Sequence, residues 1–136
     1  MKKVSKLFQL VFLTSLFSLA ACAPSNTEAE SAGIQSITPT EASTLFAAKE
    51  AVIIDVREQN EWDEKHIPGV IHIPIAQLNS RLAELEQYKD SPVIMQCRSG
   101  RRSAQGAVAL NAVGFKKLYN MEGGILAWDK AGLTTE

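Results

Sequence analysis

Cys97 stands at a point in the chain where a thiol can act as a nucleophile. It follows the apolar run Pro92–Gln96 and precedes a loop and a predicted helix that starts at Ser103. A cysteine at the end of a buried strand lies where α/β sheets place their binding crevices. The loop N–H groups, the helix start and nearby arginines stabilise a thiolate over a thiol. We therefore predict that Cys97 is a nucleophile in an anion-binding loop.

The residues that follow Cys97 form the predicted substrate-binding loop. Positive charges there attract an anionic substrate, and a glycine permits backbone angles that other residues resist. Among the arginines, we expect Arg102 to contact the substrate most closely and Arg98 least closely. The predicted binding residues are Arg98, Ser99, Gly100, Arg101 and Arg102.

Strand and helix signals alternate along residues 34–136, the predicted folded domain. Short β-branched runs predict strands, and Thr38 and Glu41 flank a proline in the pattern of a helix capping box. This alternation favours an α/β domain around a parallel sheet. The predicted strands are Ile34–Ile37, Ala51–Val56, Val70–Ile73, Pro92–Gln96 and Lys117–Tyr119. The predicted helices run from Pro39 through Phe46, over Gln59–Lys65, over an amphipathic segment Pro74–Tyr88, over Ser103–Val113 and over Ile125–Lys130.

Several motifs occur together within this domain, in an order and spacing that is more specific than any one of them. They are Ile53–Glu58, Glu61–Trp62, His66–Pro74, Cys97–Ser103, Gly114–Phe115 and Gly123–Trp128. By these motifs the chain resembles a single-domain rhodanese, a sulfurtransferase, and the resemblance covers essentially all of residues 34–136. It implies a rhodanese-like α/β fold, in which a central parallel sheet is flanked by helices on both faces.

The resemblance also implies a two-step transfer of sulfane sulfur through Cys97. The Cys97 thiolate attacks the outer sulfur of an anionic donor such as thiosulfate, releases sulfite and becomes a persulfide. Cyanide or a thiol then removes that sulfur, which is covalent catalysis with ping-pong kinetics. The backbone of residues 98–102 forms the cradle around the sulfur, and no metal or organic cofactor is expected. Asp55 and Arg57 are expected to form a structural ion pair, and His66 to brace a turn.

The start of the chain predicts export and lipid attachment. Three lysines precede a short uncharged apolar run that ends Leu-Ala-Ala before Cys22. A basic start and such a run are typical of a secretory signal, and the run is shorter than the roughly 20 apolar residues of a transmembrane helix. The end of the run resembles a bacterial lipoprotein signal, which implies a signal peptide at 1–21, a lipid on Cys22 and a flexible tether at 22–33. We therefore expect a lipid anchor outside the cytoplasm, on the periplasmic face of the outer membrane. An ordinary signal peptide cleaved elsewhere is the alternative.

Composition limits the other classes of function. The 136 residues carry a net charge of −1 and contain two cysteines. That length suits one domain with an appendage, and two cysteines are too few for a disulfide-dense scaffold or a four-cysteine zinc site. The charge gives no indication of nucleic-acid binding. His66 and His72 have no evident third metal ligand, so we assign them to turn and core roles. The expected partners of a monomeric protein are a small anionic sulfur donor, a thiophilic acceptor and the membrane.

Two other functions remain open at this point. A cysteine-dependent phosphatase or arsenate-type enzyme has Cys, five residues and then Arg, whereas here Arg102 comes one position early and Ser103 takes its place. The shorter spacing should suit a sulfur atom better than a tetrahedral phosphate, and substrate tests would decide. The second alternative is a non-catalytic rhodanese-like sulfur carrier or binding module, although such modules often lack the cysteine that is present here.

Overall fold

The computed structural model describes residues 33–136. The predicted signal peptide at 1–21, the predicted lipid site Cys22 and the tether up to residue 32 lie outside the described residues. Within the part that is described, no helix is both long and apolar enough to cross a membrane.

Within residues 33–136, five short strands form one parallel sheet in the order β1-β5-β4-β2-β3. Strand β4 is central, between β5 and β2, so its carboxyl end lies in the middle of one edge of the sheet. The strands are β1 (Ile34–Ile37), β2 (Val52–Asp55), β3 (Ile71–His72), β4 (Pro92–Gln96) and β5 (Lys117–Met121). The α-helices of this region are α1 (Pro39–Ala47), α2 (Gln59–Glu64), α3 (Arg101–Ala112) and α4 (Gly124–Lys130).

Apolar side chains of the sheet enter two cores, one on each face. Along β4, Val93 and Met95 belong to the core that contains Leu110 of α3, whereas Ile94 belongs to the core that contains Trp128 of α4. This alternation follows from the period of two in a strand. A strand buried on both faces is typical of a parallel sheet covered by helices. The predicted α/β fold, with helices on both faces of a central parallel sheet, is confirmed.

Helix α1 begins with the predicted capping box. The Thr38 hydroxyl accepts a hydrogen bond from the Glu41 N–H at 3.3 Å, and the Glu41 carboxylate accepts one from the Thr38 N–H at 3.0 Å. Pro39 occupies the first turn, where a missing N–H costs nothing. The hydrogen bonds that the Thr38 side chain and backbone donate hold the pKa of Glu41 below its usual value. Side chains at the start of α1 therefore accept hydrogen bonds from backbone N–H groups of the same turn.

The connection from β3 to β4 differs from the prediction. The leucine spacing predicts an amphipathic α-helix over Pro74–Tyr88, but the chain forms two 3₁₀ segments, Ile75–Gln77 and Asn79–Tyr88. The Ser80 hydroxyl donates to the Gln77 carbonyl at 2.9 Å, the group that would accept the Arg81 N–H in an α-helix. That N–H donates to the carbonyl of residue 78 instead. The backbone leaves the helical region at Arg81, with φ −112° and ψ 15°, beside a serine side chain that competes for the backbone acceptor, while the predicted apolar face still packs on the sheet.

Candidate active site

Cys97 is the first residue after the central strand β4, at the carboxyl edge of the sheet. The residue is buried, with 1% of its surface exposed. Its sulfur accepts a hydrogen bond from the Gly100 backbone N–H at 3.1 Å, and the Ser103 hydroxyl oxygen lies 3.3 Å from it. Hydrogen bonds to the charged form of a group favour that form, so the surroundings of the sulfur suit a thiolate.

Gly100 turns the chain from this loop into helix α3. Its φ of 102° lies in the left-handed region, which glycine adopts at little cost. Helix α3 therefore begins at Arg101, ahead of the predicted start at Ser103. Arg101 and Arg102 belong to its first turn, and only residues 98–100 of the predicted cradle are non-helical. The helix start adds partial positive charge on the side of the sulfur.

Opposing effects set the pKa of the Cys97 thiol. Burial has the largest effect, and it raises the pKa. The Ser103 hydroxyl and the backbone N–H groups of Ser103, Gly100 and Ser99 lower the pKa, because they stabilise the thiolate. Together they outweigh burial, so the pKa of Cys97 lies below the ordinary thiol value of 9.0. Since the thiolate is the reactive form of cysteine, Cys97 is activated relative to a free thiol.

The start of helix α4 holds the loop from the side opposite the sulfur. The Ile125 N–H donates to the Cys97 carbonyl at 2.9 Å, and the Leu126 N–H donates to the Arg98 carbonyl at 3.3 Å. The Gln96 side-chain amide also donates to the Cys97 carbonyl, at 2.6 Å. In a trans peptide the N–H points opposite to the C=O. The Arg98 carbonyl, which faces α4, therefore turns the Ser99 N–H toward the sulfur.

Gly124 allows α4 to approach the loop this closely. Its φ of 57° is left-handed, and a Cβ at this position would overlap the carbonyl groups of Cys97 and Arg98. The contact leaves no room for a side chain, so only glycine fits here. The pair Gly123–Gly124, which belongs to one of the family motifs, thus supports the active loop directly.

The three arginines after Cys97 have different surroundings. Arg102 donates from Nη1 and Nη2 to the two carboxylate oxygens of Glu61, at 2.6 and 2.7 Å. These hydrogen bonds lower the pKa of Glu61 to about 2. Arg98 and Arg101 are exposed, and within residues 33–136 neither forms an ion pair. The structure thus brings the three arginines to one loop and helix start, while their contact with a substrate stays a prediction.

Asp55 and Arg57 form the predicted ion pair, and both are buried. The Arg57 Nη2 lies 2.6 Å from the Asp55 carboxylate, and Nε also donates to it. The same guanidinium donates to the backbone carbonyls of Glu61 and Lys65 at 3.1 and 2.9 Å. The pair therefore fixes the carboxyl end of α2, the helix that carries the Glu61 carboxylate to Arg102.

His66 and His72 both stack on the indole ring of Trp62. Their ring centroids lie 3.9 and 4.4 Å from that of the indole. The His66 ring nitrogen lies 3.0 Å from the Trp62 carbonyl, and the His72 ring nitrogen lies 2.9 Å from the Arg57 carbonyl. These contacts give both imidazoles structural roles against Trp62, but both residues are only partly buried, so neither lies in the core. Among the described residues, no group of three or more His, Cys, Asp or Glu side chains is placed to hold a metal ion.

Asn120 is a site residue that the sequence did not reveal. Its carboxamide accepts a hydrogen bond from the Ser103 hydroxyl at 2.6 Å and donates one to the Gly100 carbonyl at 3.1 Å. The apolar pattern predicts a strand that ends at Tyr119, whereas β5 continues to Met121. The pairing of Asn120 with Met95 on β4 brings it beside the loop. The strand pairing, which is not visible in the local sequence, was the missing signal.

Fold and site together define a class of protein: a parallel α/β domain with an activated cysteine at the carboxyl end of its central strand. Residues 38–131 match the family model described as Rhodanese-like domain. The chain belongs to this family, and the resemblance of its motifs to the rhodaneses is confirmed.

Several proteins of known name are similar to this chain. YrkF of Bacillus subtilis, named a proposed sulfur carrier protein, is 42% identical over 76 residues, which cover 56% of this chain and 40% of YrkF. A sulfurtransferase of Allochromatium vinosum is 33% identical over 89 residues, which cover 65% of this chain and 81% of that protein. A crystal structure of a thiosulfate sulfurtransferase from Pseudomonas aeruginosa matches with a TM-score of 0.67 and 33% identity, over 76% of this chain and 20% of that one. The chain covers less than two thirds of the first curated relatives that it matches.

Proposed function

We propose that this protein is a sulfurtransferase that carries sulfane sulfur as a persulfide on Cys97. The proposal rests on the position of the Cys97 sulfur. It lies at the carboxyl end of β4, within hydrogen-bond distance of the Gly100 N–H and the Ser103 hydroxyl. The lowered pKa of this thiol supplies the nucleophile. The relatives that are named as sulfurtransferases support the same reaction class.

The proposed reaction consists of two displacements at sulfur. In the first, the Cys97 thiolate forms a bond to the outer sulfur of thiosulfate, and the sulfur–sulfur bond of the donor breaks to release sulfite. The persulfide then carries its negative charge on the outer sulfur. In the second, cyanide attacks that sulfur to give thiocyanate, or a thiolate attacks it to give a new persulfide, and the Cys97 thiolate returns. No net oxidation or reduction of Cys97 accompanies the cycle, so no redox cofactor is required.

The positions of the charged groups favour a small anionic donor. The loop N–H groups and the start of α3 stabilise negative charge on a sulfur in the cradle, and Arg98 and Arg101 present exposed positive charges nearby. The burial of Cys97 favours donors that are small enough to reach a recessed sulfur. The guanidinium that most resembles the phosphate-binding arginine of cysteine phosphatases, that of Arg102, is bound by Glu61. This contact favours sulfur transfer over phosphate-ester hydrolysis.

The lipid anchor is part of the same proposal and rests on the sequence alone. Cys22 follows a basic start and an apolar run in the pattern of a lipoprotein signal. A lipid there would hold the domain at the periplasmic face of the outer membrane, with the residues up to Gly33 as a tether. Membrane fractionation of a Cys22→Ala variant tests this, because persistence of the variant in the membrane fraction contradicts lipidation at Cys22.

The test of the reaction is thiocyanate formation from thiosulfate and cyanide by the full chain. Cys97→Ser should abolish turnover, because a hydroxyl has neither the acidity nor the affinity for sulfur of a thiol. Mass spectrometry should find one added sulfur atom on Cys97 after treatment with thiosulfate alone.

Cys22→Ala is the matched control, since it removes the other cysteine and should leave turnover unchanged. Equal turnover by Cys97→Ser and the unmodified chain would remove Cys97 from the mechanism. Hydrolysis of a phosphate ester without any thiocyanate would assign the site to the phosphatase class instead.

A further inference from the structure

Asn120 contacts two of the residues that hydrogen-bond to the Cys97 sulfur, Ser103 and Gly100. Its Oδ1 accepts from the Ser103 hydroxyl at 2.6 Å, and its Nδ2 donates to the Gly100 carbonyl at 3.1 Å. The Ser103 oxygen in turn lies 3.3 Å from the sulfur, and the Gly100 N–H donates to the sulfur at 3.1 Å. One carboxamide on strand β5 therefore binds the Ser103 hydroxyl directly and also binds the carbonyl of Gly100, whose N–H donates to the sulfur.

The Ser103 hydroxyl has one proton and two acceptors within reach. A hydroxyl donates a single hydrogen bond, so it serves either Asn120 or the Cys97 sulfur at a given moment. A thiol can donate to the Ser103 oxygen, which leaves the hydroxyl free to donate to Asn120. A thiolate can only accept, so its stabilisation requires the hydroxyl to turn from Asn120 to the sulfur. The charge on the sulfur and the Asn120 carboxamide thus compete for the same proton.

The burial of Ser103 gives this competition a free-energy consequence. Ser103 is fully buried, so its hydroxyl has little access to solvent as a third partner. A buried acceptor that loses its donor costs free energy comparable to a hydrogen bond. Whichever acceptor the hydroxyl leaves therefore bears that cost, and the strength of the Asn120 bond affects how readily the sulfur becomes charged.

We propose that Asn120 is a positioning residue that acts on Cys97 through Ser103. The Ser103 hydroxyl donates to Asn120 when the sulfur is neutral and to the sulfur when it is charged, while Nδ2 of Asn120 keeps its hydrogen bond to the Gly100 carbonyl throughout. The proton stays on the Ser103 oxygen, and only the direction of its hydrogen bond changes.

The catalytic consequence rests on the proposed function. Before the thiolate attacks the donor, the negative charge lies on the Cys97 sulfur, and the Ser103 hydroxyl points to it. In the persulfide the inner sulfur is neutral and the charge lies on the outer sulfur, so the hydroxyl returns to Asn120. The Ser103–Asn120 pair therefore follows the charge from one sulfur to the other, and it limits the loss of hydrogen bonding at each step.

A double-mutant cycle on the acidity of the Cys97 thiol tests the proposal. The full chain with Cys22→Ala has Cys97 as its one thiol, and the pH dependence of its alkylation by iodoacetamide gives the ionisation constant. Asn120→Ala should increase that constant about fivefold more when Ser103 is present than in a Ser103→Ala background, which is the size of one ordinary hydrogen bond. Loss of the contact from Nδ2 to Gly100 affects both backgrounds alike and drops out of the comparison. Equal effects in the two backgrounds would overturn the proposal, since a merely structural role gives additive shifts.

Asn120→Asp is the second variant, and it remains informative if Asn120→Ala does not fold. A carboxylate binds the hydroxyl proton more strongly than a carboxamide. It should therefore decrease the ionisation constant of Cys97 more with Ser103 present than in the Ser103→Ala background. Direct repulsion between the two negative charges is the same in both backgrounds. A coupling of zero or of the same sign as for Asn120→Ala contradicts the relay.

The matched control is Asn79→Ala, at an exposed asparagine on the connection between β3 and β4, which should leave the ionisation constant unchanged. Alkylation does not depend on sulfur transfer, so the two proposals fail separately. Coupling without thiocyanate formation would support the relay and refute the proposed function. Thiocyanate formation with additive shifts would do the reverse.

Discussion

At the start of helix α1, the Thr38 hydroxyl and the Glu41 carboxylate bind the free N–H groups of their own turn. At the start of helix α3, the cap residue Gly100 has no side chain that could bind these N–H groups, and its own N–H donates to the Cys97 sulfur. Both helices face the general requirement that their first N–H groups need acceptors. The α1 start meets it with its own side chains, whereas the α3 start leaves donors for a sulfur anion.

Helix α4 uses its start in a third way. Its cap residue, Gly123, has no side chain. The N–H groups of Ile125 and Leu126 donate instead to two backbone carbonyls of the active loop. These bonds orient the loop peptides, and the bond to the Arg98 carbonyl turns the Ser99 N–H toward the sulfur. In this domain the side-chain-capped start of α1 has a structural role, whereas both glycine-capped starts, those of α3 and α4, serve the reactive cysteine.

The largest effect is expected for Gly124→Ala, which changes the glycine-capped start of α4 where it packs on the active loop. A Cβ at this position overlaps the carbonyls of Cys97 and Arg98, so α4 and the loop must separate. Misplacing a reactive group by about 1 Å can cost on the order of 100-fold in rate, and overpacking costs about 1–3 kcal/mol of stability. We expect thiocyanate formation to fall by about 100-fold, as measured by steady-state turnover.

Gly132→Ala is the matched control for that experiment. Gly132 also has a left-handed φ, of 71°, but a Cβ there meets no atom of the described part of the chain within 4 Å. It should cost about 1 kcal/mol through backbone strain alone and leave turnover intact. Similar turnover in the two variants would show that α4 does not hold the loop.

The features that the sequence predicted well depend on short stretches of chain. The capping box at Thr38, the place of Cys97 after β4 and the ion pair of Asp55 with Arg57 each involve residues within a few positions of one another. The resemblance added the family and the fold, because several such stretches occur in a fixed order.

The features that it missed depend on packing between distant segments. Asn120 reaches Ser103 and Gly100 only through the pairing of β5 with β4. The pair of Glu61 with Arg102 joins α2 to α3, which no local pattern predicts. The 3₁₀ segments arise where the Ser80 hydroxyl competes with the backbone, and helix periodicity does not register such a competition.

Glu61→Gln tests the residue that links the two kinds of helix end, and its effect should be intermediate. The Glu61 carboxylate accepts the Glu58 N–H at the start of α2 and also binds Arg102 in the first turn of α3. A hydrogen bond to a charged group contributes roughly 1.5–3 kcal/mol when buried. We expect a loss of about 1 kcal/mol at neutral pH from this half-buried site, as measured by urea unfolding.

The pH dependence of that loss follows from the lowered pKa of Glu61. Its pKa is about 2 in the folded protein, chiefly because of the hydrogen bonds from Arg102, and its usual value is 4.5. A depressed folded pKa means that the stabilisation is complete above about 4.5 and disappears as the pH falls toward about 2. The stability difference between the unmodified chain and Glu61→Gln should therefore shrink below pH 4.5. A difference that grows on acidification contradicts this pairing, and Glu84→Gln, at an exposed pair with Arg81, is the control that should show little change.

The smallest effect is expected for Thr38→Ala, at the side-chain-capped start of α1. Loss of this exposed capping hydroxyl should cost on the order of 0.5 kcal/mol, and urea unfolding should detect it. Thiocyanate formation should not change, because the start of α1 satisfies only its own N–H groups. Thr40→Ala is the matched control in the same turn, because the exposed Thr40 hydroxyl makes no hydrogen bond to any of the residues 33–136, and it should leave stability nearly unchanged. If Thr38→Ala instead reduced turnover as strongly as it reduced stability, the division between structural and reactive helix ends would not hold, because the capped end would then also position the cysteine.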